Sequence, residues 1–562
     1  VKTRRIAMIS ALAIAWSLAA CSPDEVPTES DTAAIENSND LATRAGAPLF
    51  DDMGEHHHPI TTNDADAQRY FDQGVIIDFA FNHAESVRSF KAAQTLDPEC
   101  AMCFWGEALA LGPNINVTSN GKVVMSDHER RRAYAAIQKA LALKSQVSEA
   151  ERDYIDALAT RYSGDPWTLR EPLDEAYVNA MRQLHQKYPG DDDAASLFAE
   201  SMMNTMPWDY WLDPENPKPL TVEVLDVLET VLGRSPQHPL AIHLYIHAVE
   251  ASSAPERAEA FADTLRTLVP SAGHLVHMPS HIYWRVGRYA DASAANVLAA
   301  AVDEAYIAAC NAQGFYPAAY YPHNIHFLWA ASTMEGRSAI AIESARKVAA
   351  NVQLEMIEQF PGVEFFNTIP LLALTRFGRW DEILLEPAPP ANLEYSTAIW
   401  HYVRAKKGDL DAARAEHVKL VQLREAANVT FLDSIFYPAT QLLTIADDLV
   451  QGDIAMAQDQ YGEAIAHFQR AVETQSELSY TEPPFWYYPT RHTLGKALLT
   501  AGDAAAAEEV YRTDLAQYPR NGWALFGLIQ SLQAQGKEAN EIQQRLDQIW
   551  AQADVTLTAS SF

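Results

Sequence analysis

The 562-residue sequence predicts an all-α fold, a solenoid of antiparallel helix pairs, on three observations. Small, aromatic and proline positions recur with a period of 34 residues, long enough for one helical hairpin. Glycine-led turn signals, Gly287-Arg288-Tyr289, Gly336-Arg337, Gly378-Arg379-Trp380 and Gly408-Asp409, mark helix ends within that period. Hydrophobic residues make up 48% of the chain and aromatics 10%, so a long continuous core can be buried and disorder is excluded. The formal charge, 42 basic against 74 acidic side chains, is −32. Such a surface repels phosphate backbones, and nucleic acid is not an expected partner. With only four cysteines, packing rather than a disulfide framework must stabilise the fold.

The first element is an address. Lys2, Arg4 and Arg5 precede an uncharged run from Ile6 to Leu18, which is too short to span a bilayer. It ends in Leu18-Ala19-Ala20-Cys21, which resembles the lipobox of bacterial lipoproteins. That resemblance implies a signal peptide over residues 1–20, lipidation of Cys21 and, with Ser22 following, a lipid-anchored outer-membrane protein on the periplasmic face. Residues 21–58, rich in Asp, Glu, Ser, Thr, Asn and Pro, read as an acidic flexible tether. His56, His57 and His58 are expected to be a solvated run within it.

The repeats follow in three blocks: 59–205 with an insertion, a His-rich 206–350, and 351–562. Counting Tyr488 as position 1, Gly495, Gly502, Ala507, Tyr511 and Pro519 fall at positions 8, 15, 20, 24 and 32. Gly74, Ser86, Phe90 and Pro98 fit the same frame from Ala67, and Gly452, Ala464 and Phe468 fit it from Ile445. This pattern resembles the tetratricopeptide repeat family, which implies a right-handed superhelix and a concave groove lined by positions 2, 5, 9, 12 and 13. Small residues at 8 and 20 let the paired helices approach closely, and proline near 32 ends the second helix. Breaks in the spacing at 112–125, 207–219 and 306–322 are expected to be loops that can carry function.

Applied residue by residue, the resemblance puts His243 and His247 at positions 5 and 9 of one repeat. It puts His274, His277 and His281 at 2, 5 and 9 of the next, and His323 and His326 at 2 and 5 of a third. Seven of the 18 histidines thus fall between 243 and 326, where an even spread would place roughly three. Histidines at i and i+4 give a metal two ligands, and adjacent helices supply more. Without cysteine in the set, the ligands favour Zn, Cu, Fe or Ni. Glu200 is a candidate carboxylate ligand at position 9 of the preceding frame, and Glu250 a candidate acceptor that orients an imidazole. The alternative is that these histidines line a polar groove and hydrogen-bond water or a peptide.

Cys100 and Cys103 form a CxxC that is either a disulfide or redox pair, or two small apolar packers. Cys310 is expected to be a buried thiol. No phosphate-binding loop, dinucleotide fingerprint, nucleophile elbow or zincin motif is present in the sequence. Two functions therefore stand: a groove that binds a transition metal, with or without metal-dependent chemistry, and a non-enzymatic scaffold that holds an envelope protein or peptide.

Overall fold

The computed structural model describes residues 41–116, 125–165, 167–312, 314–407, 409–435 and 437–562. The leader with Cys21, and Gly408 of the turn signals, lie outside the described residues. The chain is a succession of TPR-like antiparallel helix pairs. The first pair is α1 (Ala65–Phe79) and α2 (His83–Leu96), followed by α3 (Ala101–Ala110). Asp64 caps α1 by accepting the Asp66 and Ala67 N–H groups. Reciprocal Ser/Glu capping boxes start the helices Asp127–Leu143 and Glu149–Ala159.

The glycines at position 8 have a direct packing role. A Cβ on Gly74 would lie 2.7 Å from the Phe90 ring, on Gly452 2.3 Å from Phe468, and on Gly495 2.4 Å from Tyr511. Each partner is the aromatic at position 24 of the same repeat, so the ring of the second helix sits directly on the backbone of the first. The next repeat adds a second glycine. Phe90 is clamped between Gly74 and Gly106, and Tyr511 between Gly495 and Gly527. Gly106→Ala, whose new methyl would stand 2.3 Å from a ring with no measurable exposure, is expected to destabilise the protein by about 1–3 kcal/mol. A urea-unfolding midpoint equal to that of the parent would refute this packing role.

Two insertions depart from pure helix. Trp211–Asp213 pairs antiparallel with Asn216–Pro217 in the proline-rich insertion, and Tyr316–Tyr320 forms a π-helical turn. Among the described residues no helix is long and apolar enough to cross a membrane.

The described part of the expected tether is docked on the body at several points, while Asp51, Asp52, Glu55 and His57 stay exposed. Leu41, Ala45 and Ala47 are buried, Tyr70 donates to the Ala47 carbonyl (2.6 Å), and the Gln73 side chain bridges Phe50 N–H and the Pro48 carbonyl. Apolar side chains and these side-chain-to-backbone bonds dock residues 41–58 on the body, so the folded part begins well before residue 60.

At the other end the chain folds back on its own middle. Trp523 Nε1 donates to the Thr333 carbonyl (3.0 Å), and Asp554 accepts the Ser338 and Ala339 N–H groups. The Trp550 ring packs on Gly336, and Arg376 lies 3.7 Å above the Trp523 ring.

Candidate metal centre

Five helices position the site: α4 (Asp192–Met203), α5 (Pro239–Val249), α6 (Gly273–His277), α7 (Pro279–Arg285) and α8 (Tyr321–Met334). Helix α5 opens on His238, whose Nδ1 accepts the Ala241 N–H, and continues with Pro239 in the first turn. His243 and His247 then share one face. Helix α6 begins at Gly273, where a Cβ would lie 2.0 Å from Asp303 Oδ1. Asp303, packed against the start of α6, accepts from Tyr316 and from Asn324 of α8.

Six of the seven predicted histidines assemble into two triads. His243, His247 and His274 form one, and His277, His281 and His323 the other, with candidate ligand atoms in each set within 4.8 Å of one another. The triads abut: the His247 and His281 rings are 5.5 Å apart, and the His274 and His277 rings 5.7 Å.

The hydrogen bonds fix the tautomers. His243 Nδ1 donates to the Phe79 carbonyl (2.7 Å), His277 Nδ1 to Asn296 Oδ1 (2.6 Å), His247 Nδ1 to Glu250 Oε1 (2.8 Å) and His281 Nδ1 to Glu250 Oε2 (2.7 Å). With the Nδ1 protons so committed, the Nε2 atoms of these rings in their neutral form are lone pairs. They nevertheless face each other in pairs, His243 to His247 at 3.1 Å and His277 to His281 at 2.9 Å. Two lone pairs at that distance share no proton, whereas two nitrogens bound to one ion at ~2.0–2.1 Å come about 3 Å apart. His274 is buried with neither ring nitrogen partnered. That is a costly arrangement for a polar ring unless something binds there.

The rings are poised to stay neutral. Burial first, and then repulsion from neighbouring imidazoles, hold His243, His274, His277 and His323 well below the ordinary histidine value. Burial also lowers His247, against the opposing pull of Glu250. Burial would raise Glu250, but His281 and His247 hold it well below the usual carboxylate range.

The remaining predicted residues lie elsewhere. His326 packs on Trp329 (ring centroids 5.1 Å) and against Phe365 and Phe366, where burial pushes it down to about 3. It belongs to neither triad, because position 5 of its helix points into an aromatic wall. Glu200 sits in a separate buried polar cluster, raised to about 7 by burial and by the charge of Asp78. Cys100 and Cys103 are buried and joined in a disulfide at the start of α3. Cys310 is half-buried rather than sequestered.

Several site residues escaped the sequence reading. Phe81, in left-handed backbone (φ 57°), places its ring 4.4 Å from His243 and 5.5 Å from His274, forming one wall. A loop at 480–485 contributes Tyr480, whose hydroxyl lies 3.3 Å from Glu250 Oε2, and Glu482. A cavity of about 770 Å³ opens in front of the imidazoles, lined by His247, His274, His281 and His323 together with Trp208 and Tyr320.

A second cluster clamps the N-terminal segment to the base of α5. Asp193 of α4 meets His58 Nδ1 at 2.5 Å, His56 Nε2 at 3.1 Å and His238 Nε2 at 3.0 Å. Because His238 Nδ1 accepts a backbone N–H, its proton sits on Nε2 and points at Asp193. The set is thus centred on the carboxylate rather than open to a metal. Burial would lower His58, but Asp193 raises it; burial would raise Asp193, but its hydrogen bonds from His238 and His58 and the nearby His56 ring hold it well below the carboxylate range. The His58 contribution is present below its unfolded pKa of ~6.5 and is lost as pH rises through the raised folded value. The Asp193 contribution is present above ~3.8 and is lost as pH falls through the lowered value. The stability difference between parent and Asp193→Asn is therefore expected to be largest between about pH 4 and 6.5 and to shrink above neutrality. Thermal melts across pH check this, and a difference that grew with pH would contradict it.

No protein-family model matches the chain, and no curated protein matches it in sequence. Among solved structures, it is similar to a human IFIT1 dimer with m7Gppp-AAAA at 12% identity and a TM-score of 0.33, covering 86% of this chain and 96% of that one. It is also similar to the APC/C hetero-tetramer Cut9–Hcn1 at 12% identity and a TM-score of 0.27, covering 85% and 90%. A third, Naa15/Naa10 bound to HypK, shares 12% identity at a TM-score of 0.22, covering 86% and 70%. Likeness at this level says nothing of what this chain binds.

Proposed function

We propose that the two triads hold a pair of transition-metal ions and that the protein carries out metal-dependent chemistry on a small molecule in the adjoining cavity. The facing Nε2 lone pairs at 3.1 and 2.9 Å carry this reading. Three neutral imidazoles per ion, with no thiolate and no carboxylate directly in the set, suit Zn, Cu, Fe or Ni. Glu250 acts behind both triads as the shared acceptor that fixes ring orientation. A three-ligand site facing a cavity leaves a coordination position for water, oxygen or substrate, which an ion can activate as a Lewis acid or redox centre. In this proposal the protein works on the periplasmic face, anchored through Cys21.

Total metal by plasma mass spectrometry tests the reading. The expected result is close to two equivalents in the parent and one in each of His243→Ala/His247→Ala and His277→Ala/His281→Ala. A folded parent that stays empty when supplied with Zn, Cu, Fe and Ni would overturn it. The scaffold reading keeps one supporting observation, the exposure of Trp167, Leu169 and Leu212. These could seat an envelope protein without involving the cavity.

A further inference from the structure

The 480–485 loop separates two cavities. Behind the one that faces the imidazoles lies a second, of about 540 Å³, with Leu372, Phe431, Ile435 and Phe485 among its walls. His323, Phe365 and Glu482 line both, so the two meet at a shared wall. The larger cavity has a mixed lining, and the smaller is mainly apolar, with His326, Gln359 and Thr368 among its few polar residues away from this junction.

Glu482 is the unusual group there. It is 7% exposed; one carboxyl oxygen accepts from the Tyr480 hydroxyl, while Oε2 has no partner. A buried carboxyl oxygen without a partner, on a residue that lines two cavities, calls for a donor. Among the described residues, the other acid lining either cavity is Asp209, which is already paired with Lys218. Glu250 lies one hydroxyl away, across Tyr480. Burial and the Glu250 charge push Glu482 well above the carboxylate range. An incoming anion would meet the Glu250 charge one hydroxyl behind Glu482, whereas an amine would take the Glu482 proton and complete its hydrogen bonding as an ammonium–carboxylate pair, against the Arg285 charge nearby.

We infer that the two cavities form one binding site for a primary amine with an extended apolar body, its nitrogen on Glu482 at the junction and its carbon chain in the smaller cavity. The aromatic walls suit a cationic head, since an ammonium over ring faces gains a cation–π attraction. The amine is thereby placed beside His323 and the second triad. The assignment rests on the cavities and Glu482 and does not require the ions, so its failure and that of the metal reading are separable.

The experiment is calorimetric titration of hexylamine, 1-hexanol and hexanoate into the full chain after chelator treatment. Parent, Glu482→Gln and Ile435→Trp are compared, with circular dichroism and melting as fold checks. Hexylamine is expected to bind about tenfold or more tighter than hexanol, a charge-assisted bond against a neutral one, and hexanoate not at all. Glu482→Gln should abolish the preference for amine over alcohol, and Ile435→Trp, which narrows the smaller cavity, should weaken both. If Glu482→Gln fails to fold, the order of the three probes on the parent and the Ile435→Trp loss decide alone. Hexanoate binding as tightly as hexylamine, or an unchanged amine preference in Glu482→Gln, would overturn the inference.

Discussion

Glu250→Ala is expected to weaken metal binding at both triads together, by about ten- to a hundredfold at each. One carboxylate, 1% exposed, accepts Nδ1–H from His247 of the first triad and from His281 of the second. Without it, both rings lose the bond that keeps the proton on Nδ1. The proton can then move to Nε2, which must be bare to bind an ion, and both rings are free to rotate. Arg285, which donates to the Glu250 backbone carbonyl and stacks 5.4 Å from the Tyr480 ring, holds the neighbouring chain in place, so the effect is on tautomer and orientation rather than on the local fold. Chelator competition on parent and variant measures it. Loss at one triad alone, or an unchanged affinity, would remove Glu250 from its shared role. Glu250→Gln should retain part of the affinity, because its amide oxygen can still accept one of the two N–H groups.

The repeat and the histidines were legible for the same reason: both follow helical periodicity. Gly74, Gly452 and Gly495 recur where aromatic rings need the backbone bare, and the i, i+4 pairs His243/His247 and His277/His281 recur where one helix face looks inward. His323 and His274 joined the triads through groove register. His326 did not, since three residues along a helix is about 300° of turn, and on α8 that rotation carries the side chain from the cavity into the aromatic wall of Trp329, Phe365 and Phe366. What the sequence could not show is closure in space. Tyr480 lies 230 positions beyond Glu250, whose carboxylate it approaches, and His58 lies 135 before Asp193. Nothing in a local pattern encodes such encounters. They follow from the C-terminal repeats packing on the middle of the chain through Trp523 and Trp550, and from apolar residues such as Leu41 and Ala47 drawing the N-terminal segment onto the body.

Asp174→Ala is expected to have the largest effect on stability, a loss of about 3–5 kcal/mol, because it strands buried charge. Arg161 and Arg170 are 2% and 4% exposed and share this one carboxylate, at 3.4 and 2.7 Å. Burial favours losing the Arg161 charge, and Asp174 is the largest influence that raises it; a guanidinium nevertheless stays ionised when its partner is removed. The consequence reaches the cavity. Arg161 donates to the Pro113 carbonyl (2.9 Å), which Asn204 also binds, and three residues on Asn116 donates to the Tyr320 hydroxyl (2.8 Å) and accepts from Trp208 Nε1 (3.0 Å). The buried arginines thus brace the loop that sets two aromatic walls of the proposed binding site. Urea unfolding should show the lost stability, and the fluorescence change at Trp208, isolated by comparison with Trp208→Phe, should begin at lower urea than global unfolding in the variant but not in the parent. A loss under about 1 kcal/mol would mean that the arginines find other partners, and coincident transitions in the variant would mean that the loop is braced by something other than Arg161.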